Sequence, residues 1–407
     1  MKRSALVAAV LAALTVFSAV AFGAPARSQL TPVTVDTLPI TNALPMTLGI
    51  QKGFFANHGI EIKTQTLQSG NDIVLALANH NGDIGYLGYV PMMIARTTGI
   101  PLTLVAASEV EGTNTTDNWQ DILVKGSSSI RSPADLAGKT IAANALKGVG
   151  EVVIKAALAK AGVDPNSIKL VAIPFPSMRT ALNNGQVDAI WTPEPFLSQA
   201  VNIDGARIVM APGPVLGNYF PVGGYAALSD WMKSNPTTAR NFRIAMNESL
   251  QYAQTHPDEI RALGPAGNVP HLPIWLPAID RVKLLALAKY AKQYGVISSL
   301  PNFTQLFPSD IRTGFATGLL EATVTKLGKV KVVQAGSVAR RLDPGKYLLI
   351  VKDQSKRHGF GLVGPGVKIR TPVKRTGTFR YRITLASGLY NYTNLRKPRQ
   401  AGAFTVS

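Results

Sequence analysis

The sequence predicts an α/β region followed by an all-β sandwich, and three observations carry that expectation. From about Thr31 to Leu320 strand-like runs alternate with helical stretches. At about Leu327 the pattern turns into short alternating segments between glycine turns. The charge divides at the same place: of a formal net +19 over 407 residues, Lys326 to Ser407 carries 18 Lys plus Arg against two acids, or +16, which leaves +3 for the other 325. The basicity belongs to the tail, and nucleic acid is not an expected partner.

The opening "MKRSALVAAVLAALTVFSAVAFGAPARS" places Lys2 and Arg3 before an apolar run and ends it in small residues, the pattern of a cleaved export signal over 1–26. Without cysteine, the chain has no disulfide, no thiol catalysis and no lipidated cysteine after the signal. A soluble exported protein, periplasmic or secreted and not a lipoprotein, is therefore expected.

The strands read in order as "TPVTVDTLPI", "IEIKTQTL", "GDIGYLG", "PLTLVAAS", "DILVKG", "KTIAANA", "IKLVAIPF" and "VDAIWTPEPF". Helices such as Asp72 to Ala78 and Glu151 to Ala161 lie between them, the rhythm of parallel α/β units. In "SPADLAGKT", Ser132 caps a helix, Pro133 fits its first turn, Asp135 suits its positive end and Gly138 stops it. The "GKT" is no phosphate loop, since Pro133 stands where that motif needs glycine. After Asp230 the pattern is mainly helical and includes "SDIRTGFATGLLEATVTKL". The last segments, "VKVVQA", "KYLLIVKD", "FRYRITLAS" and "GAFTVS", alternate as sandwich strands do.

At "LGIQKGFFANHGIEI", "LQSGNDIVLALANHNGDIGYLGYVPMMIARTTGIPLTLVA", "DLAGKTIA" and "ALNNGQVDAIWTPEPF" the chain resembles the substrate-binding proteins of ABC importers, in the group that handles nitrate, sulfonates, taurine and thiamine-pyrimidine precursors. The resemblance runs from about Thr34 to Leu320. It implies a two-lobed type II periplasmic binding fold, with crossings near Glu109 to Thr113 and Val222 to Tyr225. The expected division is 27–112 plus 222–325 for the first lobe, 113–221 for the second and 326–407 for the sandwich. The implied function is capture of a small solute between the lobes and delivery to the membrane subunits of a permease, without catalysis and without a cofactor or metal.

Candidate site residues follow from chemistry. Loops at the carboxyl ends of parallel strands gather unpaired backbone N–H groups at helix N-termini, which selects Thr41, Asn42, Gly70, Asn71, Tyr86 and Gly88. In "NALKGVGE" the same logic selects Asn144, Lys147 and Gly148, with Lys147 a charge for an anion. Phe175 and Trp191 either stack on a ligand or pack as core, Thr192 lies beside them, and Glu194 either meets a ligand donor or braces the interlobe connection. Both an anion-binding and a heterocycle-binding set are present, so nitrate- or sulfonate-like anions, taurine and pyrimidine-like rings all fit.

The tail resembles cupredoxin-like domains that carry copper on a histidine before "GPG" and on a later Cys-x-x-His-x-x-Met run. Here His358 holds the first position, but Asn394, Lys397 and Gln400 hold the others, a set that cannot bind copper well. A metal-free sandwich is expected. Arg380 and Arg382 share one strand face, and attraction of this basic surface to an anionic envelope polymer or lipid is one reading, solubility the other. The alternatives to a transport receptor are an envelope-associated sensor or scavenger and a pyrimidine-precursor synthase-like enzyme. The missing cysteine argues against the enzyme.

Overall fold

A computed structural model describes residues 29–112, 118–217, 219–264, 270–307, 319–334, 337–342, 345–399 and 401–406. The expected signal at 1–26, Thr113 and Gln400 lie outside them. One five-stranded sheet runs Ile60–Thr66, Thr31–Thr37, Ile84–Gly88, Gly223–Leu228, Leu102–Ala107. Its first three strands are parallel, as the sequence predicts, but Gly223–Leu228 enters antiparallel to both neighbours from far along the chain. A second sheet runs Arg207–Met210, Gln120–Val124, Ala189–Pro193, Thr140–Ala143, Lys169–Ala172, with its last three strands parallel.

Two of the helical segments between these strands start at a side-chain cap. Ser69 Oγ accepts the Asp72 amide at 3.2 Å and opens Gly70–Ala78. Ser132 and Asp135 do form a reciprocal capping box, yet the turn they cap, Pro133–Leu136, is a single 3-10 turn. It stops before Gly138, which takes the left-handed φ of +74°.

Two stretches of chain cross between the sheets and run side by side. After Leu102–Ala107 comes the short strand Glu109–Val110, antiparallel to Ile274–Trp275, and Val110 also bridges Pro221 on the returning chain. The Glu111 amide donates to the Phe220 carbonyl at 2.8 Å and the Val222 amide to the Glu109 carbonyl at 3.3 Å.

The C-terminal region forms two further five-stranded sheets. One runs Ser337–Val338, Val330–Gln334, Leu319–Val324, Gly345–Asp353, Gly377–Leu385, and the other Arg341–Leu342, Ala401–Val406, Gly388–Asn394, Phe360–Gly364, Val367–Arg370. Leu349, Val351 and Leu385 of the first share one core with Phe360, Tyr390 and Phe404 of the second, which makes a sandwich. The sandwich begins earlier than the expected boundary at 326. The segment "GLLEATV", expected within the helical stretch, contains instead the strand Leu319–Val324, which buries Leu320, Ala322 and Val324 at every second position.

The outer face of the first of these sheets rests on the crossings. Ile350, whose neighbours Leu349 and Val351 point into the sandwich, packs instead with Val110 and Tyr219, and Ile274 and Leu276 lie against them. Tyr219 donates its hydroxyl hydrogen to Glu321, and Lys283 Nζ lies 5.7 Å from the centre of its ring. Tyr219 has a φ of +57°, a conformation costly for a bulky residue and maintained only where the surroundings fix it.

Two outcomes follow. Ile350→Ala should lower the unfolding free energy by about 2 kcal/mol, at the low end for a buried isoleucine because the cluster is small, as read from urea denaturation. The second concerns Asp36, which lies fully buried in the first sheet without a partner for either carboxylate oxygen among the described residues. Burial, helped by the negative Asp83, pushes its carboxyl from 3.8 up to about 6. A raised value favours the protonated acid in the fold, so its stabilising effect is present at low pH and is lost as pH rises through about 6. Relative to Asp36→Asn, the parent should lose about 2 kcal/mol between pH 4 and pH 7, measured by denaturation at each pH.

Candidate functional site

The two sheets aim the carboxyl ends of their parallel strands at a common cleft. On one side Leu38, Ile40 and Asn42 follow Thr31–Thr37, Gly70 and Asn71 open a helix, and Tyr86 and Gly88 end Ile84–Gly88. Across from them Asn144, Ala145, Gly148 and Val149 join Thr140–Ala143 to Val149–Lys160, Phe175 opens Phe175–Asn183, and Trp191 and Pro193 come from Ala189–Pro193. Glu109, Trp119, Gln120 and Val222, on or beside the crossings, form the floor. The starts of several helices therefore face one space.

The lobes touch across this space. Asn71 Nδ2 donates to the Leu146 carbonyl at 3.1 Å, and the Thr41 amide to the Glu194 carbonyl at 3.0 Å. At Gly88 a Cβ would come within 2.3 Å of Val149 Cγ2 on the opposite lobe, so this approach requires glycine.

The electrostatics of the cleft are one-sided. Among the described residues no Lys, Arg or His lines it, and its carboxylate is Glu109. Glu109 is 1% exposed; Tyr86 donates its hydroxyl to Oε1 at 2.7 Å, while Oε2 has no partner. Burial raises the carboxyl above the ordinary glutamate range, partly offset by Tyr86, Ser108 and Asn42. Behind the floor Glu111 and Asp121 are buried as well. Burial raises both, Asp121 to about 7, although Gln120 donates to Glu111 and Asn118 Nδ2 donates to Asp121 at 3.1 Å. The aromatic wall has the Phe175 ring 6.1 Å from that of Trp191 and stacked at 6.2 Å on Phe196, and the Trp191 indole N–H has no partner.

Of the residues chosen from sequence, Asn42, Gly70, Asn71, Tyr86, Gly88, Asn144, Gly148, Phe175 and Trp191 line this cleft. Thr41, Lys147, Thr192 and Glu194 do not. Thr41 and Thr192 are buried behind it. Glu194 accepts the Ser198 amide at 3.1 Å and its hydroxyl at 2.6 Å, bracing the start of Phe196–Asn202. Lys147 is exposed in a separate depression with Glu151 and Lys155, and its amide donates to Glu151 Oε2 at 2.8 Å. Sequence reasoning missed Glu109, Trp119 and Gln120 because it looked only at strand ends that open onto helices. Their signal was a set of acids and a tryptophan where the chain was expected to cross.

Comparison with known proteins agrees with this architecture. The chain is 25% identical over 315 residues to the taurine-binding periplasmic protein of Escherichia coli, covering 75% of this chain and 87% of that protein. It is 23% identical over 241 residues to the nitrate/nitrite binding protein NrtA of Nostoc sp., covering 56% of this chain and 54% of that protein, so it spans about half the length of that relative. Among solved structures, the alkanesulfonate-binding protein SsuA of Xanthomonas axonopodis pv. citri bound to MOPS matches with a TM-score of 0.55 at 20% identity, over 68% of this chain and 97% of that one. That likeness shows a periplasmic-binding-protein-like α/β fold for the two-lobed part. A model of the NMT1/THI5-like family matches residues 40–260, more than half of the chain, and the chain belongs to that family.

Proposed function

We propose that this chain is the extracytoplasmic solute-binding protein of an ABC importer, which closes two lobes around a small molecule and presents the closed form to a permease. The observation that carries the reading is the cleft itself, faced by helix N-termini from two lobes and floored by two paired crossings about which the lobes can swing. Relatives named as taurine-, nitrate/nitrite- and alkanesulfonate-binding proteins support it, as does the word periplasmic in the first of those names. The cleft residues chosen from sequence, with Glu109, Trp119 and Gln120, are the proposed contacts. The role is binding without catalysis.

The sandwich reads as a cupredoxin-like domain that has lost its copper. His358 and Asn394 still face each other around Gly328, whose φ is +83°, but Asn394 Nδ2 donates to the Gly328 carbonyl at 2.7 Å where a thiolate would be needed. The basic surface of this domain is assigned a secondary role in holding the protein near anionic envelope polymer or lipid.

Closure provides the test. A bound solute at a hundred times its dissociation constant should stabilise the protein by about 2.7 kcal/mol in a thermal-shift screen. Gly88→Val places a side chain against Val149 and should weaken that ligand at least about tenfold by calorimetry. Undiminished affinity in this variant would exclude closure at Gly88 as part of binding.

A further inference from the structure

We infer that Glu109 makes an N–H donor obligatory in the solute: the cleft takes a small molecule that carries an ammonium or amino group against Glu109, and it rejects simple anions. The inference rests on the solute-binding reading and names the class of ligand for the same site.

Glu109 is placed and held before any ligand arrives. Its carbonyl accepts the Val222 amide from the returning crossing, and its Oε1 accepts the Tyr86 hydroxyl. Glu109 lines the cleft floor, and its Oε2 is buried and makes no hydrogen bond among the described residues, although the Ser108 and Asn42 side chains lie close enough to favour the carboxylate. A buried carboxylate oxygen without a donor is costly, and a donor on the ligand removes that cost. With Glu109 ionised, an acceptor or an anion in the same place leaves the oxygen unpaired and adds like-charge repulsion. Among the described residues no cation lines the cleft to reverse this balance, and Lys147, the cation chosen from sequence, lies outside it.

The rest of the cleft suits the other end of such a molecule. The Trp191 indole N–H is buried and unpartnered, and the helices Gly70–Ala78 and Val149–Lys160 begin at residues that line the same space, with the positive ends of their dipoles there. These groups donate, so they take an acceptor. The recognised solute is therefore polar in one direction, donor toward Glu109 and acceptor toward the helix starts, with a body that fits between Phe175 and Trp191 on one side and Tyr86 on the other. A site built to bond a donor discriminates steeply against the analogue that lacks it.

The test uses the full chain and paired probes in calorimetry: taurine against ethanesulfonate, 4-aminopyrimidine against pyrimidine, and nitrate alone. In at least one pair the amino member should bind about 100-fold or more tighter than its partner, and nitrate should give no heat at millimolar concentration. Glu109→Gln, which turns a donor toward the ligand, should lose about 100-fold for the amino member while the free variant melts at or above the parent. If that variant does not fold, Glu109→Asp should bind more weakly yet keep the preference for the amino member. Nitrate or ethanesulfonate binding as tightly as the amino probes would overturn the inference and leave the solute-binding reading standing, as would Glu109→Gln within about threefold of the parent. Failure of every probe to bind the parent would overturn both.

Discussion

The pairing of the two crossings is the constraint on which the rest of this molecule depends. Glu109–Val110 and the returning Phe220–Val222 are tied by backbone hydrogen bonds, so the lobes are joined by a narrow two-stranded ribbon and not by a flexible linker. Successive side chains on a strand point to opposite faces. Glu109 therefore faces the cleft with Tyr86, and Val110 faces away from it, into the cluster with Tyr219 and Ile350. One dipeptide sets the chemistry of the cleft on one side and the seat of the sandwich on the other.

That arrangement puts acids where stability alone would not. Glu109, Glu111, Asp121 and Glu194 are all buried around the crossings, and burial raises each of them. Neighbouring donors answer part of the cost: Tyr86 for Glu109, Gln120 for Glu111, Asn118 for Asp121 and Ser198 for Glu194. Glu109 and Glu111 each keep an oxygen without a partner. Of these two only Glu109 lines the cleft, so its missing donor is one that a ligand can supply.

Much of this was legible in the sequence because local rules and tertiary structure agreed. The eight strands named from β-branched runs are all present, and seven of them contribute to the cleft through their carboxyl ends or the segments after them, the exception being Gln120–Val124, which runs antiparallel to its neighbours. Where the reading failed, the deciding partner was distant. Gly223–Leu228 pairs with strands more than a hundred positions earlier, and nothing local marks it as antiparallel. Leu319–Val324 has a pattern short enough to serve a helix or a strand, and it becomes a strand because Gly345–Asp353 pairs with it in parallel. Lys147 looked like a ligand group because its loop faces the cleft. The left-handed turn at that residue, with φ of +55°, instead accompanies a hydrogen bond from its backbone N–H to Glu151 Oε2 and an exposed side chain.

The basic tail shows how an alternation rule can be right and still incomplete. Arg380 and Arg382 do share a strand face, as period two requires. Register adds what sequence alone does not contain: Arg380 is paired with Ile350, and Ile350 with Glu321, so the three form one row across the sheet. The middle and far members of that row touch the crossings, through Val110 and Tyr219. Arg380 is thereby carried to the helix Pro236–Thr255, where with Arg382 it lines a groove beside Glu248, Gln251 and Tyr252. Two of the tail's cations thus face the first lobe across a groove that contains an acid. Attraction there adds to the apolar seat of Ile350, and it is open to water and screened by salt, whereas the seat is not. The sandwich is consequently positioned by a small apolar contact at the crossings, with its charge acting on the lobe beside it before it acts on anything outside.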